Sequence, residues 1–320
     1  METMRFFIFF VTLFVSSVCF SDSGLICSGL FGAKDSQLTI EKYFKNGNSP
    51  FGLPNRKINK QIDDLLTGDD ILRVLAGSEF FPYLEAKDLK AIADDPSVAH
   101  RVSSKIVLMI GGDKELKRQG PLMAMRYSSR GFYLIAKIIL MRLQMRDGKV
   151  FTQEEQAKYF GMPLETIPVA YRFDSRPPET ISEQGGFRPN EVMGDRTLPE
   201  HSFQYSPGSS QFVSVTLQSK NASLLRGTLE KYLIPADTKV VKKHFGDYER
   251  WIEKTYMTYE YEVTNLTGTR PLDLPGFSIP SEKEFVVSNV DLTQVKRYRL
   301  VYVVTLKHET KARVIYSDWQ

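Results

Sequence analysis

At 320 residues and 36.6 kDa the chain is long enough for two folded units. Its 42% hydrophobic and 25% charged residues are an ordinary globular mix, which excludes collagen-like, low-complexity and wholly disordered classes. The net charge, 42 − 38 = +4, is too mild for a nucleic-acid binder, and two cysteines with four scattered histidines form neither a disulfide scaffold nor a zinc-type spacing, so no metal is expected.

The N-terminus reads as an address. Arg5 precedes the apolar run Phe6–Val15, and Ser16, Ser17, Val18, Cys19, Phe20 and Ser21 follow it. The run is half of what a membrane span needs, and an apolar core with small residues behind it is the pattern of a cleaved secretory signal. Residues 1–21 are therefore expected to be a signal peptide, cut after Cys19 or Ser21, and the mature protein to be secreted. Cys27 is then the one remaining thiol and has no internal partner.

Residues 22–160 read as a helical accessory domain for localisation, docking or covering. Ile62, Leu65, Leu66, Ile71, Leu72 and Leu75 recur at helical intervals, with Ser78 or Pro82 as punctuation. Leu84, Leu89 and Ile92 continue the pattern to Asp95-Pro96. The stretch 128–146 is apolar but contains Lys137 and Arg142, and reads as a buried helix. Thr152 followed by Glu155 is a capping box opening another short helix before the linker at Met162-Pro163. Residues 101–150 hold eleven Lys/Arg against Asp113, Glu115 and Asp147, 11 − 3 = +8. That excess suits an anionic membrane surface or an acidic partner, and a solvated helical face explains it equally well.

After Thr166 the texture changes to alternating β-branched and aromatic runs: VAYRF, QFVSVTL, TYMTYEYEV, EKEFVVSNV, RYRLVYVVTL and ARVIYSDW. Residues 161–320 are expected to form a sheet-rich domain of six or more strands ending in a hairpin, which makes the chain α+β.

Three fragments of this half carry candidate chemistry. In Tyr171-Arg172-Phe173-Asp174-Ser175-Arg176-Pro177-Pro178-Glu179 the proline pair ends the strand, and Gly185-Gly186 ends the turn after it. Arg172 and Arg176 share a strand face if the strand extends that far, and two guanidinium forks in one cleft suit a diphosphate. For Asp174 and Arg176 a structural ion-pair knot is the better reading. The second fragment, Gln211–Leu217, alternates Ser214, Val215 and Thr216. The third, Glu282-Lys283-Glu284-Phe285-Val286-Val287, places two carboxylates at i and i+2, facing the same way on a strand. Glu260-Tyr261-Glu262 is a rival pair, read as the solvent side of an edge strand.

YRFDSRPPE followed by GGFRP resembles the opening motif of the bacterial ADP-ribosylating toxins of the cholera and pertussis type. The resemblance runs from about Val169 to Gln320, with Arg, Ser and Glu fragments in the family's order. The family's hydroxyl strand reads Ser-Thr-Ser, so Val215 departs from it and Ser214 takes the leading serine's place. The resemblance implies a mono-ADP-ribosyltransferase domain using NAD as substrate. Glu284 would hold the nicotinamide ribose, with Ser214 orienting it and Glu282 positioning and deprotonating the acceptor, most readily an arginine of a host protein. Tyr171, Arg172, Asp174, Arg176 and Thr216 would line the NAD site. An NAD glycohydrolase or an inactive binding module on the same fold are the alternatives. With 320 − 284 = 36 residues after Glu284, taken up by the last two strands, no C-terminal extension for a receptor-binding pentamer is expected.

Overall fold

The computed structural model describes residues 57–77, 80–189, 194–203, 210–221, 233–309 and 312–320; the expected signal peptide and Cys27 lie outside them. The chain is α+β and divides into two compact units, 1–136 and 137–320.

The described part of the first unit is helical. The run expected from Ile62 to Leu75 is two helices, α1 (Lys60–Gly68) and α2 (Asp70–Ala76). Asp69 breaks it, because its carboxylate accepts the backbone N–H groups of Ile71 and Leu72, both at 2.9 Å, and so caps a new helix. α3 (Ala86–Asp94) ends at Asp95, which also caps α4 (Pro96–Met109) by accepting the Ser97 N–H at 2.8 Å. α5 (Asp113–Arg118) and α6 (Pro121–Tyr127) are short, and α7 (Ser129–Arg146) runs across the division. In the core the Phe81 ring stacks on that of Phe132 at 4.9 Å, with Phe80 tilted against Phe132 at 5.4 Å.

The second unit takes in the end of α7 and α8 (Gln153–Phe160), ahead of the boundary expected at 160–161. Thr152 and Glu155 form the expected capping box, and Gly161 closes the helix in the left-handed conformation at φ +67°. Gln153 of α8 donates to the Val286 carbonyl at 2.9 Å, and Gln156 accepts the Leu198 N–H at 2.8 Å. Those buried bonds tie α8 into the sheet unit.

The sheet unit then runs β1 (Glu165–Asp174), α9 (Pro178–Glu183), β2 (Gly186–Phe187), α10 (Leu198–Ser202), β3 (Val213–Thr216), β4 (Ile234–Pro235), β5 (Ile252–Gly268), β6 (Glu284–Val287), β7 (Val290–Asp291), β8 (Val295–Leu306) and β9 (Arg313–Tyr316). The main sheet has seven strands in the order β6-β3-β1-β5-β8-β9, with β4 also on β5; β2 and β7 form a separate pair. All described pairings are antiparallel, and β8 and β9 pair as the expected terminal hairpin. Ala170, Val213, Val215, Tyr261, Val263, Phe285 and Val287 supply one face of a core completed by Ile181, Phe187 and Val290.

β5 is not an edge strand. It lies between β1 and β8, and Glu260 on it is 0% exposed. Arg299, directly opposite on β8, pairs with Glu260, and the Lys220 N–H donates to the same carboxylate at 2.7 Å. The solvent-side reading fails for Glu260 because its charge is matched by a buried cation. Glu262 is partly buried and accepts from Arg297 at 2.7 Å.

Candidate functional site

Two tight approaches shape the ground around the three fragments. Gly186 has φ +114°, and a Cβ there would stand 2.1 Å from the Val290 carbonyl oxygen. At Gly268 a Cβ would stand 2.2 Å from the Val286 carbonyl oxygen, where Thr269 bridges to Val286. Only glycine lets β2 meet β7 and the end of β5 meet β6 this closely.

Strand pairing brings the distant fragments together. Tyr171 pairs with Thr216, and Thr216 with Glu284, so β1, β3 and β6 present one cross-strand row. Ser214 donates to Glu284 Oε1 at 2.5 Å. Tyr171↔Thr216 is the one pair described between β1 and β3, and Arg172 reaches across to donate from Nη1 to the Ser214 carbonyl at 2.7 Å. Arg172, Ser214 and Glu284 are thereby linked through Ser214, whose carbonyl meets the cation and whose hydroxyl meets the acid.

β1 ends at Asp174, so Arg176 does not continue its face. The two arginines meet through Asp174 instead. Its carboxylate accepts from Arg172 Nε at 3.2 Å and from Arg176 at 2.7 and 2.8 Å. The Phe187 ring lies under both, 5.1 Å from Arg172 and 5.8 Å from Arg176. Burial opposes ionisation of Asp174, but the Arg176 hydrogen bond and the Arg172 charge hold its carboxyl below the ordinary range. The forks expected to face a diphosphate are engaged with Asp174, with the Ser214 carbonyl and, for Arg176, with Gln184.

Glu282 departs from the expected i, i+2 strand geometry. Lys283 has φ +50°, so β6 begins only at Glu284 and Glu282 lies before it. The backbone there is held from β3: Thr216 Oγ1 donates to the Glu282 carbonyl at 2.7 Å, and the Leu217 N–H to the Lys283 carbonyl at 2.9 Å. Thr216 thus supports the acidic segment through its hydroxyl. The Tyr171 ring stands 6.2 Å from that of Trp319.

Burial pushes Glu284 up to about 7, against the Ser214 hydrogen bond and with help from the neighbouring charge of Glu282. Burial alone raises Glu282. Such a pair of carboxyls in one site, with the inner one poised near neutrality, is an arrangement suited to chemistry on a cationic substrate.

The sequence reading missed His201. It sits on α10, whose start is held by a capping box between Thr197 and Glu200, and its Nε2 lies 2.8 Å from Ser214 Oγ. Its Nδ1 lies 2.6 Å from Ser210 Oγ. Burial first, then the charges of Arg172 and Arg196, pull this imidazole down to about 3, so it is neutral at physiological pH. With Glu284 ionised, the one hydroxyl hydrogen of Ser214 goes to the carboxylate, so Nε2–H must donate to Ser214 and Nδ1 must accept from Ser210. The chain Ser210–His201–Ser214–Glu284 is therefore directional. His201 lies outside all three fragments, so no local signal singles it out among the four histidines.

No group of side chains able to hold a metal ion occurs among the described residues.

No family model matches this chain, and no curated protein matches it.

Proposed function

We propose that the chain is a secreted mono-ADP-ribosyltransferase, an α+β protein whose sheet-rich unit transfers ADP-ribose from NAD to an arginine of a host protein. The observation that carries this reading is the link from Arg172 through Ser214 to Glu284, made by three strands distant in sequence and in the order of the resembled family. The YRFDSRPPE motif supports it independently.

The bond to be broken joins the anomeric carbon of ribose to the positively charged nicotinamide nitrogen. Its electron pair leaves with nicotinamide, which becomes neutral, and the ribose develops oxocarbenium character. Ionised Glu284 stabilises that charge through the ribose 2′-hydroxyl, while Ser214 and neutral His201 hold its orientation. Arg172 locks β3 against β1 and keeps a positive charge beside the site. A guanidine nitrogen of the acceptor then forms the new bond to the anomeric carbon, and Glu282 removes its proton.

Incubation with labelled NAD and a host-cell lysate tests this. A labelled protein band supports the transferase. Free ADP-ribose without a labelled band assigns the site to NAD hydrolysis, and no NAD cleavage overturns the proposal.

A further inference from the structure

The basic stretch 101–150 is less uniform than its composition suggests. Arg126, Lys137 and Arg142 are buried, with Arg126 donating to the Leu75 carbonyl and Arg142 bound to Asp195 and Glu200. Apart from Arg130 at the start of α7, the basic residues of this stretch that remain exposed in the first unit lie on the two helices that flank one turn. α4 buries Ala99, Val102, Ser103 and Ile106, at helical spacing, and turns Arg101, Lys105 and Leu108 outward, at i, i+4 and i+7. Leu108 is 76% exposed, the most of any large hydrophobic among the described residues. Val107, Met109 and Ile110 beside it are each partly exposed. Gly111 at φ +102° and Gly112 at φ +84° then carry the chain into α5. There Lys114, Lys117 and Arg118 are exposed beside an exposed Asp113, and Arg118 pairs with Glu115 through two bonds at 2.6 and 2.9 Å, which leaves α5 a net 3 − 2 = +1.

We propose that residues 107–112 are a membrane-insertion tip that seats the protein on an anionic lipid bilayer. An exposed leucine with three partly exposed apolar neighbours, at the end of α4 and on its C-cap, is costly in water, and the four stand between two groups of basic residues. That order, apolar apex and cations set back along both flanking helices, matches the depth profile of a bilayer surface, with acyl chains inside and headgroup phosphates outside. A soluble acidic peptide would satisfy the lysines and leave Leu108 wet. No helix among the described residues is long and apolar enough to cross a membrane, so the contact is interfacial. The inference does not depend on the transferase reading, since none of these residues belongs to the candidate site.

The test is co-sedimentation of the full chain with phosphatidylcholine vesicles and with vesicles also containing phosphatidylserine. The wild type should pellet with the second and stay soluble with the first. Leu108→Glu and the double variant Lys114→Glu/Lys117→Glu should each weaken binding about tenfold or more. Leu108→Trp should bind and show a blue-shifted emission on adding phosphatidylserine vesicles, over the constant background of Trp251 and Trp319. NAD cleavage, measured in parallel, should be the same in all variants. The proposal is overturned if the wild type ignores phosphatidylserine, binds both vesicles equally, or binds no better than Leu108→Glu.

Discussion

At the scale of single residues the site turns on protons. Glu284 ionises near 4.5 in the unfolded chain and near about 7 in the fold, so the folded state holds its proton longer. The stability this contributes is fully present below the unfolded value and is lost as pH rises through 7, a difference of about 3 kcal/mol. Glu284→Gln removes the carboxylate. Thermal melts at pH 5 and pH 8 should show the variant losing less stability between them than the wild type. NAD cleavage in Glu284→Gln should fall about a hundredfold to a thousandfold, as for loss of a group that stabilises developing charge. Intact cleavage would move the catalytic role elsewhere. Glu282→Gln should behave differently, with NAD hydrolysis kept and transfer to protein lost, read by comparing free ADP-ribose with labelled target. His201 acts through Ser214. Its removal leaves Ser214 free to rotate off Glu284, so His201→Ala should lower kcat about tenfold with KM little changed, and His201→Gln, which keeps an N–H donor, should restore part of it. Because the imidazole titrates near about 3, the activity profile should show no histidine limb near neutrality.

The elements explain which of these residues were legible in the sequence. β1, β3, β5, β6, β8 and β9 announce themselves by alternation, and the capping box at Thr152 by its spacing. The two-residue strands β2, β4 and β7 carry no periodicity, and their existence depends on partners far along the chain. Asp69 looks like one more polar residue in a helical run until its carboxylate is seen to cap α2. The Glu282–Glu284 spacing reads as strand, and nothing in Lys283 advertises a φ of +50°. Arg299 lies thirty-odd residues from Glu260 in order yet directly opposite in register, so the local sequence around Glu260 does not show that the acid is buried and paired. Gly185-Gly186, by contrast, is legible as the end of the turn after the proline pair, and both residues have positive φ just past α9. Gly186→Ala would put a methyl 2.1 Å from the Val290 carbonyl oxygen, forcing β2 off β7. A loss of about 1–3 kcal/mol is expected by denaturant titration, with a fall in NAD cleavage because Phe187, the next residue, lies under Arg172 and Arg176.

For the whole molecule the question is where the sheet unit begins. Composition places the break at the proline-containing linker near residue 160, where helical texture gives way to strands. Contacts place it after Ala136. The difference is physical, since a helix can belong to a sheet unit without resembling it in sequence. Arg142 on α7 pairs with Asp195 at 2.8 Å and lies 3.8 Å from Glu200, the capping residue of the short helix that presents His201. Gln156 accepts the Leu198 N–H at the start of that same helix, and Gln153 donates to Val286, on the strand that carries Glu284. A fragment beginning at residue 161 would leave these buried groups without their partners, at about 1–3 kcal/mol for each, and would loosen α10 and β6 together. A fragment beginning at Ser129 keeps all of α7 and α8. Expressed side by side, the 129–320 fragment should melt cooperatively and cleave NAD, and the 161–320 fragment should melt lower and cleave it more slowly. Equal melting and equal rates would mean that α7 and α8 are ornaments on a sheet unit that stands without them.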